Sequence, residues 1–434
     1  MLRKYNFADT PIVEIVNDIL YDASMRKASD IHFDPFDNFV KIRIRIDGTL
    51  MDYATVPNEF KQNLITRIKI LSGMNITETR LPQDGAIKIS IEDSDMDMRV
   101  STLPTNLGEK VVIRIMDYKS SLNGIENLDF NEDNYRKVLE MINKPNGIIL
   151  VTGATGTGKS TTVYSILQRI NKENVNLITV EDPIEMDLTG VNQVQVNSEI
   201  GLTFANTLRS ILRQDPDIIM IGEIRDSETA KIAVRASITG HLVLSTIHTN
   251  NSLTTIERLL DMDVERYLLS SALSGIISQR LARRICLECA TKRPTKDYEK
   301  EIFKNYLGHT IDEIYVPTGC EKCNTGYSGR IAIQEVLLIN EEIRDAINDG
   351  IAKDDLRELV YKSDVITMFQ DGLMKVEAGL TSIEEVMRLI EVDDDANVAT
   401  EKEAIVKEND IANNHEPDKE KPSPTIESFE TLSF

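Results

Sequence analysis

Apolar and polar residues follow two different rhythms along this chain, and the rhythm changes near residue 130. In the first part, Ile12, Ile15, Val16, Ile19 and Leu20 recur at helical spacing behind Thr10-Pro11, which marks a helix start and predicts an amphipathic helix docked by one face. Val40-Lys41-Ile42-Arg43-Ile44-Arg45-Ile46 alternates strictly and runs into Asp47-Gly48, the pattern of a half-buried strand closed by a tight hairpin turn. Further strands are expected over 87–91, 96–101 and 111–116, with an apolar-periodic helix over 60–71. Residues 1–118 are therefore expected to form a small α+β domain, and a polar, irregular stretch beginning at Asp117 places a linker over 119–128.

From residue 129 the apolar runs lose their alternation. Those at 148–151, 177–180, 218–221 and 242–245 are continuous, as strands buried on both faces are, and helical patterns separate them. A parallel sheet with helices on both sides follows, so the chain is expected to be α/β, its main domain spanning 129–390 with a helix over 383–390 at the end. Beyond 390 the character changes again. Residues 391–434 carry 13 acidic and 4 basic side chains, Pro422 and Pro424, and few large apolar groups, a composition expected to be disordered. Its last residues, 426–434, read either as a solubilising end or as a short docking motif.

Composition adds limits. A length of 434 residues accommodates two or three domains, and although Trp is absent, Ile, Leu and Val suffice for their cores. No stretch has the 18 or so uninterrupted apolar residues that cross a bilayer, and Asp9, Glu14 and Asp18 stand where a signal peptide tolerates none, so the chain is expected in the cytosol. A formal charge of −22 offers nucleic acid no general attraction, and none is expected as a direct partner.

The chemistry concentrates at Gly153-Ala154-Thr155-Gly156-Thr157-Gly158-Lys159-Ser160, placed between an apolar strand and a helix that opens with Thr161. Strand, Gly-rich loop and helix in that order form a phosphate cradle: backbone N–H groups converge on the phosphates, Lys159 supplies a point charge, and Ser160 offers a hydroxyl to Mg²⁺. ATP is the expected ligand. Ile218-Ile219-Met220-Ile221-Gly222-Glu223 is a strand ending in a carboxylate, which makes Glu223 the candidate base for activating water. Glu181 ends another such strand and is a candidate for the metal or its water shell. His241 and His248 flank a third, which presents His248 at the sheet's carboxyl edge, whereas His32 reads as a satisfied structural histidine. Cys286, Cys289, Cys320 and Cys323 form two Cys-x-x-Cys pairs, enough for one structural Zn²⁺, with free or redox thiols as the alternative. The 30-residue spacer between the pairs implies a metal that staples a loop-out to its own base, within a module over 284–330.

These segments occur together with Ala28-Ser29-Asp30-Ile31-His32-Phe33, Arg80-Leu81-Pro82-Gln83-Asp84-Gly85 and Ser101-Thr102-Leu103-Pro104-Thr105. In that order, over about residues 10–390, the chain resembles the secretion-superfamily ATPases, specifically the assembly ATPases of type IV pili and type II secretion systems. In that resemblance 178–185 matches an Asp box, 208–226 a Walker B region and 239–250 a His box. It implies a RecA-like P-loop ATPase domain behind the smaller domain, working as a homohexamer that binds ATP between the two. It also implies roles that pattern does not supply: Arg99 and Arg114 match first-domain arginines that approach the γ-phosphate as the domains close, and Arg209 and Arg213 match arginines beside the Walker B strand. An inner-membrane platform protein is the implied partner, with the motor peripheral to that membrane on its cytoplasmic side. The cysteines favour an assembly motor over a retraction motor. The expected function is pilin polymerisation, with a type II secretion or DNA-uptake motor, or a non-hydrolysing nucleotide-binding regulator, as alternatives. The chain starts almost directly at the nucleotide-proximal domain, where many such ATPases carry a further amino-terminal domain.

Overall fold

The computed structural model describes residues 3–7, 9–91, 94–116, 124–323, 325–362 and 364–390, so the first half of the expected linker and the whole of 391–434 lie outside the described residues. The first part runs α1 (Ile12–Met25), β1 (Asp30–Pro35), β2 (Phe39–Ile46), β3 (Thr49–Pro57), α2 (Lys61–Leu71), β4 (Gln83–Ile91), β5 (Ser94–Thr105) and β6 (Gly108–Met116). Helix α1 starts behind Pro11, not Thr10, and no side chain caps it. The six strands form one antiparallel sheet in the order β3-β2-β1-β6-β5-β4. Alternation decides its faces: Ile31, Phe33, Val40, Ile42, Val111 and Ile113 pack against Ile15, Val16, Ile19, Leu64 and Ile68 of the two helices. The β2–β3 turn holds Asp47 at φ 48° and Gly48 at φ 81°, as a primed turn requires.

The opposite face of this sheet is polar. Asp30 accepts from Arg114 Nε at 3.0 Å, and Asp34 from Arg43 Nε at 2.7 Å and from Lys110. His32 lies between these pairs, and here the expectation fails: its Nε2 is buried without a hydrogen-bond partner. The neighbouring carboxylates are taken by the cations, and burial, with the Lys110 ammonium nearby, holds the imidazole below its usual pKa.

The second part is built on a seven-stranded sheet in the order β15-β12-β7-β11-β10-β8-β9. Along the chain come α3 (Glu132–Ile142), β7 (Gly147–Thr152), α4 (Lys159–Ile170), β8 (Leu177–Glu181), β9 (Asn192–Gln195), α5 (Phe204–Ile211), β10 (Ile218–Ile221), α6 (Ser227–Ile238) and β11 (Leu242–Ile247). Then follow α7 (Ser252–Asp261), α8 (Arg266–Ala272), β12 (Leu273–Ile285), β13 (Thr291–Pro294), α9 (Asp297–Leu307), β14 (Glu313–Val316) and β15 (Tyr327–Leu338). The chain finishes with α10 (Glu341–Asp349), α11 (Lys353–Lys362), α12 (Met368–Glu377) and α13 (Ile383–Leu389). Ile148 and Leu150 of β7 face a core shared with α5, α6, α7, α8 and α10, while Ile149 and Val151 face another shared with α3 and α4. Burial on both faces is why these strands read as unbroken apolar runs. Strands β12 and β15, which the periodicity does not predict, pair antiparallel at one edge, and β12 runs parallel beside β7. Among the described residues no helix is long and apolar enough to cross a membrane.

Candidate nucleotide site and cysteine cluster

The Gly-rich loop leaves the carboxyl end of β7, whose residues are all buried, and turns into α4 at Lys159. Gly158, at the cap of α4, has φ 88°, and Gly153 has φ 150°, a conformation closed to side chains. Space excludes them at Gly153 as well: a Cβ there would lie 2.6 Å from the backbone oxygen of Gln279 on β12. Ala154, Thr155 and Gly156 are exposed at the loop's crest, and Ser160 and Thr161 are half-buried in the first turn of α4. Lys159 Nζ donates to the carbonyls of Gly153 at 2.9 Å and Ala154 at 3.0 Å, so the ammonium is held over the loop it serves. Burial lowers its pKa, opposed by the charges of Glu223 and Glu185.

Glu223 stands just beyond β10, at the same sheet edge. Its loop is pinned to β11 by Thr246 Oγ1, which donates to Gly222 O at 2.7 Å, and β11 is tied to the end of β7 by Thr152 Oγ1, which donates to Thr249 O at 2.8 Å. His248 therefore follows β11 directly beside the carboxylate, with Nε2 3.4 Å from Glu223 Oε2. Burial holds this imidazole below its usual pKa, the Lys159 ammonium adds to the effect, and Glu223 opposes it. The other carboxylate oxygen accepts from Arg225, a residue that the strand pattern does not single out. Its only sequence signal is a cation two positions after a strand-end acid.

The remaining expected residues are engaged elsewhere. Glu181 ends β8, but its carboxylate turns inward and is 3 % exposed. Oε2 accepts from Tyr164 of α4, and Oε1 from Thr179 at 2.6 Å and Gln193 at 3.0 Å, which leaves it braced rather than open to a metal's water shell. Arg99 Nη2 donates to Ile184 O at 3.1 Å, across from the first sheet to the segment after β8. Arg114, directly opposite Arg99 on β6, is held by Asp30. Arg209 of α5 pairs with Glu228 of α6, and Arg213, just past α5, donates to Arg209 O and Ser210 Oγ, all of them exposed. His241 sits at the amino end of β11, against Ala236 O at 2.8 Å.

At the far end of β12 the four thiols converge. Cys289 Sγ and Cys320 Sγ each lie 3.6 Å from Cys323 Sγ, and the four sulfurs are all within 4.8 Å of one another. Zn–S bonds of about 2.3 Å in a tetrahedron require sulfurs about 3.8 Å apart, so this donor set fits one metal ion. The turns match in the two pairs: Cys289 N donates to Cys286 O at 3.3 Å, and Cys323 N to Cys320 O at 3.2 Å. The spacer folds as β13, α9 and β14, a loop-out closed at its base by the cluster.

A phosphate-binding loop and a strand-end acid at the carboxyl edge of a doubly covered sheet, behind a small α+β domain, define a P-loop ATPase fold. The chain belongs to the family described as type II/IV secretion system protein, whose profile matches residues 6–388. It is 47 % identical over 382 residues to type II secretion system protein E of Dickeya dadantii, covering 88 % of this chain and 76 % of that protein. It is 45 % identical over 376 residues to the type IV pilus assembly ATPase PilB of Thermus thermophilus, covering 86 % of this chain and 42 % of that longer protein. Its structure is similar to the pilus retraction motor PilT solved with bound ADP, at a TM-score of 0.60 and 27 % identity, over 90 % of this chain and 100 % of that one.

Proposed function

We propose that the chain hydrolyses ATP and that hydrolysis drives assembly of a filament of pilin-type subunits, a type IV pilus in the leading version. The observation that carries this reading is the gathering of Lys159, Glu223 and His248 at one sheet edge around the Gly153–Gly158 turn. In this reading backbone N–H groups of 153–161 and the Lys159 ammonium hold the phosphates. Ser160 would hold Mg²⁺ through its hydroxyl, and the ion would supply charge neutralisation to the phosphates when bound. Glu223 releases Arg225 and takes a proton from the attacking water at Oε1, while His248, neutral at pH 7, steadies Oε2. Glu181 positions the site through Tyr164 and does not touch the metal.

Arg99 spans the seam between the two sheets, which supports a closing motion of domains divided at 118 and 129. Arg114, Arg209 and Arg213 contact a nucleotide after such closure or from a neighbouring subunit, in a homohexamer on the cytoplasmic face of the inner membrane. Zn²⁺ on the four cysteines is the proposed structural metal.

A second reading, a type II secretion motor, is favoured by the names of relatives such as the Dickeya protein. Two experiments separate these outcomes. Glu223→Gln is expected to lower turnover by about 100-fold or more while nucleotide still binds; parent-like turnover would remove Glu223 as the base. In cells whose only copy carries Lys159→Ala, surface filaments are expected to vanish by electron microscopy, with the variant still expressed. Filaments intact but protein secretion lost would select the second reading.

A further inference from the structure

The crest of the phosphate loop faces solvent, and its underside rests on two side chains of a distant strand, Gln279 and Leu281 of β12, of which only Gln279 is polar. Gln279 of β12 is 1 % exposed. Its Nε2 donates to Thr157 O at 2.8 Å, and its Oε1 accepts from Thr162 Oγ1 of α4 at 2.9 Å. Its backbone oxygen closes the space at Gly153, and Nε2 lies 3.2 Å from where a Cβ on Gly158 would stand. One residue therefore touches the beginning of the loop, its end and the helix that carries Lys159. We propose that Gln279 is a positioning residue for nucleotide binding: its amide holds the loop in the shape that aims the N–H groups of 153–161 outward at the phosphates.

The argument rests on what each atom of the amide does. Thr157 O accepts from the Gln279 amide, and in a planar trans peptide the N–H of the same unit, that of Gly158, points the opposite way, away from Gln279. A donor beneath that carbonyl fixes the orientation; without it the buried oxygen lacks a partner and the peptide is free to flip. Oε1 in turn ties down the first turn of α4, which carries Lys159 and Ser160. Only an amide supplies donor and acceptor at these two places, so neither a carboxylate nor an apolar side chain of equal size substitutes for it. Gln334, the direct cross-strand partner of Gln279 on β15, donates to Leu128 O at 2.9 Å, so the same sheet level also grips the segment by which the chain joins this domain.

This inference rests on the nucleotide-binding reading, and the test distinguishes the two. Fluorescent ADP is titrated with Mg²⁺ into the full-length wild type and into Gln279→Met, Gln279→Glu and Thr162→Val, with gel filtration and thermal melting of each nucleotide-free protein. The two Gln279 variants are expected to bind about tenfold more weakly or worse, and Thr162→Val about threefold more weakly, while all melt cooperatively. Gln279→Glu carries a second signature. Its carboxylate faces a carbonyl near the phosphates and regains the donor on protonation, so its deficit relative to wild type shrinks as pH falls from 8 to 6. Unchanged affinity in folded Gln279→Met, or in Thr162→Val should the Gln279 variants not fold, would overturn the inference. A wild type that binds no nucleotide would overturn the functional reading and this inference with it.

Discussion

His248 sits among charges of both signs, and this makes its titration a direct probe of the site. Burial and the Lys159 ammonium both favour the uncharged ring, so its midpoint in the nucleotide-free protein is expected below 6.5 by NMR. Removing the cation with Lys159→Ala is expected to raise the midpoint, and removing the anion with Glu223→Gln to lower it further. A wild-type midpoint above 6.5 would contradict this placement. The sign for stability follows: with the folded value depressed, the unfolded chain binds the proton more readily. The contribution of His248 is therefore present above the unfolded value and lost as pH falls below it. Glu223 and His248 were legible in the sequence because each directly follows an apolar strand, and strands that are parallel neighbours deliver their carboxyl ends to one edge. Glu181 looks identical by that criterion. Its inward turn depends on Tyr164 and Gln193, which no local pattern connects to it.

The cysteine module shows how an element too small for a core of its own is held. Strands β13 and β14 have 4 residues each, but α9 contributes Ile302 and Phe303, which join Met368, Phe369 and Leu373 of α12 in a buried cluster. A metal on the four thiols would therefore act at the base of the loop-out, and the apolar contact acts at its helix. Purified protein is expected to contain about one zinc per chain. Cys320→Ser is expected to lose it and to be cut faster by protease within the 291–316 segment, while ADP affinity is retained. Full zinc content in that variant would remove Cys320 as a ligand. Periodicity found β7, β8, β10 and β11 but missed β12 and β15, and the cause is physical. Ser278, Gln279, Gln334 and Glu335 interrupt the apolar runs of β12 and β15, yet all four are buried, where contacts with distant segments replace water. A strand with polar residues at buried positions has no periodicity to read.

Across the whole molecule, the formal charge of −22 coexists with one polar sheet face where Arg43 and Lys110 pair with Asp34, and Arg114 and Arg45 pair with Asp30. Because the chain as a whole is strongly acidic, duplex DNA at physiological salt is expected to leave ATP turnover unchanged. Stimulation by DNA would instead point to a motor that acts on nucleic acid. The two sheets touch through Arg99 and Ile184 and, at the β2–β3 turn, through Asp47, which accepts from Gly329 N at 2.8 Å. Neither contact was legible, because each joins segments far apart in the chain. The order of the large sheet has one more consequence. Strand β7, which launches the phosphate loop, is flanked by β11 and β12, both made later, and Gln279 lies 122 residues after the carbonyl it supports. At translation rates of about 5 to 20 residues per second, a nascent chain carries its nucleotide motif for roughly 6 to 24 seconds before the floor of that motif has been synthesised. During that interval the growing protein carries the loop's sequence without the strand on which its folded shape rests.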